Sequence, residues 1–266
     1  MNKMPEIYTT ALLASIEASQ AIMRIYDSDV IPDYKGDGSP VTAADIEASK
    51  IIEAHLRTTS IPITGEELAE KNYSIRKNWK ENWCVDPLDG TKMFLRKNGE
   101  FSVNIAHIID GKPVFGIIAS PVNKEIICGG PAYGAYILKF DQLQQRDSWV
   151  SLPIPKIPNS QLVVACSRNF NNSDYPIIEE LEKKYGELKY MKKGSALKFF
   201  DLAQGTADIY LRIGPTMEWD IASGQAILEA LGGEISNLNT LEILSYNKED
   251  LYNPPFFART KPLLNT

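Results

Sequence analysis

Asp86 and Asp89 flank Pro87-Leu88 in the run Trp83-Cys84-Val85-Asp86-Pro87-Leu88-Asp89-Gly90-Thr91. The apolar residues before them read as a strand that ends at Asp86. Pro87 then forces a turn, and Gly90-Thr91 opens a short helix. Across that turn both carboxylates reach one cation, with the Leu88 carbonyl, released from the sheet ladder, as a further oxygen ligand. Hard cations such as magnesium take all-oxygen sets of this kind, completed by water and substrate phosphate. The N–H groups of Gly90 and Thr91 at the helix start then face the phosphate. A plain polar turn accounts for Asp-Gly-Thr taken alone, so the other acidic segments decide.

Three more segments carry carboxylates. Glu66 and Glu67 follow the short apolar run Ile61-Pro62-Ile63. If extended, they point to opposite sides, and at most one of them faces a metal. A solvated acidic loop is the simpler account of that stretch. Glu218-Trp219-Asp220 opens an amphipathic helix, where Asp220 serves equally well as an N-cap. Asp45 stands in capping-box spacing after Thr42, and spacing alone assigns it no further role.

The formal net charge of −6 excludes a nucleic-acid polymer as partner, because the lysines are scattered rather than gathered in a stripe. A small anionic substrate is compatible with that charge only where a metal ion reverses its sign locally. Cys84, Cys128 and Cys166 are odd in number and far apart, which fits reduced thiols rather than a disulfide framework or a zinc site. Only His55 and His107 are present, so an imidazole-rich metal site is excluded as well. His107, inside a strand pattern, reads as packed or edge histidine rather than catalyst. The longest apolar runs, such as Val114 to Ala119, are far shorter than a membrane span. Met1 to Glu17 lacks the pattern of a leader. A cytoplasmic location is expected, with peripheral association at the cytoplasmic face of the inner membrane as a variant of it.

Several elements must position these residues. Ile7, Ala11, Leu12, Ser15, Ala18, Ile22 and Ile25 share one face of a helix from about Pro5 to Tyr26, and a second helix runs from about Ala43 to Leu56. Strands are expected over Trp83 to Val85, Ser102 to Ile108, Val114 to Ser120, Glu125 to Cys128 and Ala135 to Leu138, with a hairpin at Asp110-Gly111. Polar residues from Asp141 to Asp147 and prolines at 153, 155 and 158 mark a linker. Beyond it, strands at Leu162 to Ala165 and Ile209 to Leu211 alternate with helices at Ser195 to Ala203 and Asp220 to Leu231, capped by Gly205 and Gly232. The fold class is therefore α/β: an α+β half over 1–145, a linker over 146–158 and an α/β half over 159–266, with mixed sheets covered by helices.

Together, Gly65-Glu66-Glu67, Asp86 to Thr91, and Trp219-Asp220 followed by Ala222, Ser223 and Gly224 resemble the magnesium-dependent, lithium-sensitive inositol monophosphatase superfamily. Ser39 to Asp45 (SPVTAAD), Lys97 to Phe101 (KNGEF), Val103 to Ala106 (VNIA), Gly194 to Phe199 (GSALKF) and Tyr210 to Pro215 (YLRIGP) are most similar to its bacterial 3′(2′),5′-bisphosphate nucleotidase branch. The likeness covers nearly the whole chain and weakens at the linker and the last residues. Gly65, where such nucleotidases often carry Ser, and Glu218, an extra carboxylate beside the motif, depart from the pattern.

The resemblance implies a layered αβαβα sandwich of the inositol monophosphatase and fructose-1,6-bisphosphatase type, with the site between the halves. It assigns two or three magnesium ions to Glu66, Asp86, the Leu88 carbonyl, Asp89 and Asp220. It assigns the phosphate to Gly90 and Thr91, and proton removal from the attacking water to Glu66 and the Thr91–Asp45 pair. Ser195, Lys198, Arg212 and Asp220 are its substrate contacts; Lys198, one helical turn beyond Ser195, faces the same way. The implied reaction is hydrolysis of adenosine 3′,5′-bisphosphate to AMP and phosphate, which recycles a by-product of sulfate assimilation, with lithium as inhibitor. A homodimer is compatible with it. Two alternatives stay open: a sibling phosphatase of inositol phosphates or fructose bisphosphate, and a non-catalytic metal- or nucleotide-binding protein.

Overall fold

The computed structural model describes residues 4–28, 31–36, 38–68, 72–153, 159–170 and 176–260. The first half begins with helix α1 (Glu6–Tyr26), the hairpin β1 (Asp33–Tyr34) and β2 (Pro40–Val41), and helix α2 (Ala43–Arg57). Then come β3 (Ile63–Gly65), α3 (Tyr73–Arg76), β4 (Glu81–Asp89), α4 (Thr91–Leu95), β5 (Ser102–Ile109), β6 (Lys112–Ser120), β7 (Glu125–Gly130), β8 (Gly134–Lys139) and β9 (Val150–Leu152). The second half holds β10 (Val163–Cys166), α5 (Pro176–Tyr185), β11 (Lys189–Lys192), α6 (Lys198–Ala203), β12 (Ile209–Arg212), β13 (Thr216–Met217) and α7 (Glu218–Ala230). It closes with β14 (Glu234–Asn237), β15 (Tyr252–Asn253) and β16 (Phe256–Arg259).

Strands β3 to β9 form one seven-stranded sheet in sequence order, antiparallel except for the parallel β3–β4 pair. Alternation sends Trp83, Val85, Val103, Ile105, Phe115 and Ile117 to one face, where α1 and α2 cover them. Cys84, Ala106, Ile108, Ile118 and Ile127 face the other side and pack with α6 and α7. Beyond those helices lies a mixed five-stranded sheet in the order β11-β10-β12-β16-β14, whose outer face packs on Ile178 and Leu181 of α5. The layers therefore run α-β-α-β-α, as the resemblance implies. Because α7 packs on β4 to β7 as well as on β14, it brings its own first turn against the ends of strands from the first half.

Several sequence expectations change in detail. Strand β4 continues through Pro87 to Asp89 instead of ending at Asp86. A bulge between Asp86 and Asp89 absorbs the residue that cannot donate to the ladder. Val150–Leu152, expected within the linker, pairs with β8 as the sheet's edge. Pro155 and Pro158 lie outside the described residues. Helix α6 starts at Lys198 and not at Ser195, because Ser195 takes a left-handed backbone (φ 48) that a right-handed helix excludes. Asp110 and Gly111 both have positive φ, as the expected hairpin requires. Among the described residues, no helix is long and apolar enough to cross a membrane.

Candidate active site

The bulge in β4 turns both of its aspartates toward the N-terminus of α7. Oxygens of Asp86, Asp89 and Asp220 lie within 4.8 Å of one another. Each carboxylate is partly held in place by the backbone. Asp86 Oδ1 accepts the Leu88 N–H at 3.0 Å, Asp89 Oδ2 accepts the Ala196 N–H at 2.5 Å, and Asp220 Oδ2 accepts the Met217 N–H at 2.9 Å. Asp220 is thus the third residue of its helix rather than the N-cap, which is Met217. Asn104 Nδ2 adds a contact to Asp89 Oδ2 at 3.3 Å.

Like charges this close in a buried setting disfavour ionisation. Burial, then Glu66, Asp89 and Asp220, hold the Asp86 carboxyl well above the usual carboxylate range. Burial raises Asp89 too, partly offset by Lys198. Asp220 is pushed up to about 8 by burial and by Asp89. Asp86 Oδ2 is buried without a hydrogen-bond partner, and none of the three carboxylates forms an ion pair among the described residues. An all-oxygen cluster with uncompensated charge and a free lone pair fits a hard divalent cation.

Next to the cluster, Gly90 (φ 94) precedes α4, whose first residue is Thr91. Thr91 Oγ lies 2.9 Å from Asp45 Oδ1 and 3.3 Å from the Leu88 carbonyl. Its single proton goes to the shorter, charged acceptor. The other oxygen of Asp45 accepts the Thr42 N–H at 2.7 Å and the Thr42 hydroxyl at 2.6 Å, completing the expected capping box. Burial raises the Asp45 pKa despite these bonds.

Glu66 and Glu67 do not point to opposite sides. Strand β3 ends at Gly65, so both glutamates sit in a turn. Both accept from Lys35 Nζ, at 2.7 Å for Glu66 Oε1 and 2.5 Å for Glu67 Oε1. Burial opposes the charge on Lys35, but the two glutamates more than offset it and raise its pKa. Glu66 borders the acidic group without belonging to the 4.8 Å cluster. Gly65 has a packing reason: a Cβ there would stand 2.5 Å from the Val85 carbonyl oxygen. Glu218, expected near the site, is buried and turned away. It accepts the N–H groups of Asn247 and Lys248 at 2.7 and 3.0 Å and pairs with Lys248 Nζ at 2.6 Å.

Glu66, Asp86, Leu88, Asp89, Gly90, Thr91, Ser195, Lys198, Arg212 and Asp220 all line one cleft of about 640 Å³, large enough for a nucleotide-sized ligand. Asp45 stands behind it, linked through Thr91. Lys198 is only 3% exposed, and its ammonium bonds the carbonyls of Lys193, at 3.2 Å, and of Ser195. Burial lowers its pKa to about 8. Arg212 bonds the carbonyls of Gly214 and Pro215 at 3.1 and 3.0 Å and has no ion pair among the described residues. Lys35, Glu100, Asn104 and Arg168 are site neighbours that the sequence reading did not single out. Only Glu100 and Asn104 carried a signal, as members of KNGEF and VNIA.

The inositol monophosphatase family model matches residues 3–254. The chain belongs to the inositol monophosphatase family. Enzymes of this family are metal-dependent, in keeping with the acidic cluster. The 3′(2′),5′-bisphosphate nucleotidase CysQ of Salmonella typhimurium is 38% identical over 245 residues, 90% of this chain and 94% of that protein. Its counterpart in Escherichia coli K12 is 36% identical over 247 residues, again 90% and 94%. The crystal structure of CysQ from Bacteroides thetaiotaomicron, a bacterial member of the family, superposes with a TM-score of 0.84 at 38% identity, covering 95% of this chain and 96% of that one. His107 is packed as expected, between Tyr8 and Glu81, and the three cysteines are buried and free.

Proposed function

We propose that this family member is a magnesium-dependent phosphatase that hydrolyses adenosine 3′,5′-bisphosphate at the 3′ position, leaving AMP and phosphate. The observation that carries the reading is the convergence of Asp86, Asp89 and Asp220 beside Gly90-Thr91 in a cleft that also holds Arg212. The likeness to CysQ nucleotidases over nine-tenths of the chain supports the bisphosphate over other esters.

Asp86, Asp89, Asp220, Glu66 and the Leu88 carbonyl are the groups that would hold two or three magnesium ions, with lithium as an inhibitor. When bound, such cations supply positive charge against the phosphoryl oxygens and acidify water. The chain itself orients the reactants. The Gly90 and Thr91 turn receives the scissile phosphate. Because Thr91 commits its proton to Asp45, the lone pairs of its oxygen remain to accept a hydrogen from the attacking water. Asp45 and Glu66, both raised above the ordinary carboxylate range by burial, are suited to take up that proton. The bond between phosphorus and the 3′ oxygen then breaks, and the leaving oxygen is protonated. Ser195, Lys198 and Arg212 form the wall facing the nucleoside and second phosphate. A homodimer is compatible with the same scheme, since the cleft is complete within one chain.

The test is a panel of phosphate esters assayed with magnesium, with and without a chelator and lithium. Adenosine 3′,5′-bisphosphate is expected to give the highest kcat/KM. A preference for inositol 1-phosphate or fructose 1,6-bisphosphate overturns the substrate assignment, and full activity after chelation overturns the metal.

A further inference from the structure

Glu100 lies in the loop between α4 and β5, outside the acidic cluster, yet its carboxylate reaches into the second half of the chain. Oε2 accepts the Gly194 N–H at 2.8 Å and Arg168 Nε at 2.5 Å, while Oε1 accepts Arg168 Nη2. Both partners line the cleft. The Glu100 side chain is 17% exposed and that of Arg168 46%, so the guanidinium side of the clamp faces solvent and the sheltered contact is the bond from the Gly194 N–H.

The turn it holds contains a residue in a left-handed backbone conformation. Gly194 leads into Ser195, whose φ of 48 is unfavourable for a residue with a Cβ, and the Ala196 N–H then bonds Asp89. Among the described residues, two side chains of the first half accept hydrogen bonds from this turn. Asp89 is one, but it belongs to the acidic cluster; Glu100 is the other and has no partner there. The packing is close. A Cβ on Gly194 would lie 3.0 Å from Met93 Cγ and 3.1 Å from the Glu100 carbonyl oxygen. One on Gly90 would lie 2.9 Å from that same oxygen. The Glu100 backbone therefore abuts the phosphate turn while its side chain holds the opposite wall.

We propose that Glu100 is a positioning residue for substrate recognition: it clamps the Gly194–Ala196 turn and the Arg168 guanidinium at a fixed spacing from Gly90-Thr91. The proposal rests on the phosphate-ester reading of the cleft. Glu100 touches neither the reacting atoms nor the acidic cluster. Its removal loosens the wall that receives the rest of the substrate, while Asp89 keeps its own bonds to Ala196 and Asn104, so the effect falls mainly on KM rather than on kcat.

The experiment compares the full chain with Glu100→Ala and Glu100→Gln by hydrogen exchange, steady-state kinetics on adenosine 3′,5′-bisphosphate and thermal unfolding. In Glu100→Ala, the peptide spanning Gly194 to Ala196 is expected to exchange faster, and KM to rise about tenfold with kcat held within about twofold. Glu100→Gln keeps an amide oxygen for Gly194 and gives an intermediate KM. Wild-type exchange at Gly194–Ala196 in a folded Glu100→Ala protein overturns the clamp, as does a fall in kcat at constant KM. If the alanine variant does not fold, Arg168→Gln on the exposed side of the pair is read in the same way: a raised KM supports the clamp, and an unchanged KM overturns it. Exchange needs no substrate, so a wild-type protein that ignores the bisphosphate refutes the substrate reading while exchange still judges the clamp.

Discussion

Thr91 Oγ donates to Asp45 Oδ1 at 2.9 Å, joining the first turns of two helices 46 positions apart in the chain. One carboxylate thereby serves two ends: Oδ2 caps α2 through Thr42, and Oδ1 fixes the rotamer of the threonine beside the acidic cluster. Thr91→Val keeps the shape but removes the hydroxyl. It is expected to lower kcat by roughly 10²–10⁴-fold, the usual range for a positioned proton-transfer group. Thr91→Ser should retain most activity. Equal losses in the two variants, both folded, would remove the hydroxyl from the mechanism.

What the sequence disclosed about this site follows contact range. The Asp86–Asp89 pair and the Thr42–Asp45 box lie within one turn of chain, so spacing alone suggested them. Joining Asp220 to them took the resemblance, because only the packing of α7 across the first sheet brings it near. Lys35 left no trace in its polar stretch; it matters because a hairpin lays it on Glu66 and Glu67. Those glutamates escape the alternation rule because the strand stops at Gly65, before either of them. Lys198 was legible as a cleft residue, but its turn back onto Ser195 depends on a left-handed backbone that no periodicity announces. For the fold, both faces of the first sheet are buried, so its strands read as nearly continuous apolar runs and their existence was plain. The edge strand β9 is short and largely exposed, so it has no apolar run to set it apart from a linker.

Asp86→Asn should separate stability from function. In the metal-free protein Asp86 is buried among like charges, and its carboxyl is held well above its ordinary range. Neutralising it relieves that repulsion, so Tm without metal is expected to rise by a few degrees. Turnover should nearly vanish, and the stabilisation that magnesium gives the wild type should be largely lost. Thermal unfolding with and without magnesium checks this. A variant that is less stable than wild type without metal, or fully stabilised by magnesium, contradicts the cluster's assignment.

His107 supplies a pH signature remote from the site. Its neutral ring donates from Nε2 to Glu81, at 3.2 Å, and accepts the Tyr8 hydroxyl at Nδ1, at 3.1 Å. Burial lowers its pKa, with Glu81 only partly opposing. The unfolded chain takes up this proton near pH 6.5 and the folded chain only at lower pH. The stability it contributes is therefore present above about pH 6.5 and is lost as pH falls toward the folded value. Asp220, raised to about 8, works in the opposite sense in metal-free protein, because there the folded state keeps a proton that the unfolded state has lost. The measurement is thus a difference: Tm of wild type minus Tm of His107→Gln, which should shrink between pH 7.5 and pH 5.5. A difference that is constant or grows contradicts the burial argument.

Arg212 tests where discrimination among phosphate esters comes from. The acidic cluster and the Gly90-Thr91 turn handle only the scissile phosphate, so they cannot distinguish a nucleotide from a sugar phosphate. Selectivity must come from groups that reach the rest of the molecule. Among the other cations lining the cleft, Lys193 is paired with Asp201 and Arg168 with Glu100, Lys198 is buried against backbone carbonyls, and Lys92 is an exposed residue of α4. Arg212 bonds only two carbonyls and carries charge that no carboxylate pairs with among the described residues. A second phosphate is the partner that charge suits. Arg212→Ala is expected to reduce kcat/KM for adenosine 3′,5′-bisphosphate by about 1.5–3 kcal/mol, the cost of losing a charge-assisted bond. Inositol 1-phosphate, which has no second phosphate, should be turned over nearly as before. Arg212→Lys should restore only part of the loss, because an ammonium cannot hold the two carbonyls and the phosphate in the fixed geometry of a guanidinium. Equal losses on both esters would mean that Arg212 merely braces the Gly214-Pro215 loop, and the discriminating charge would then have to be sought elsewhere along the wall.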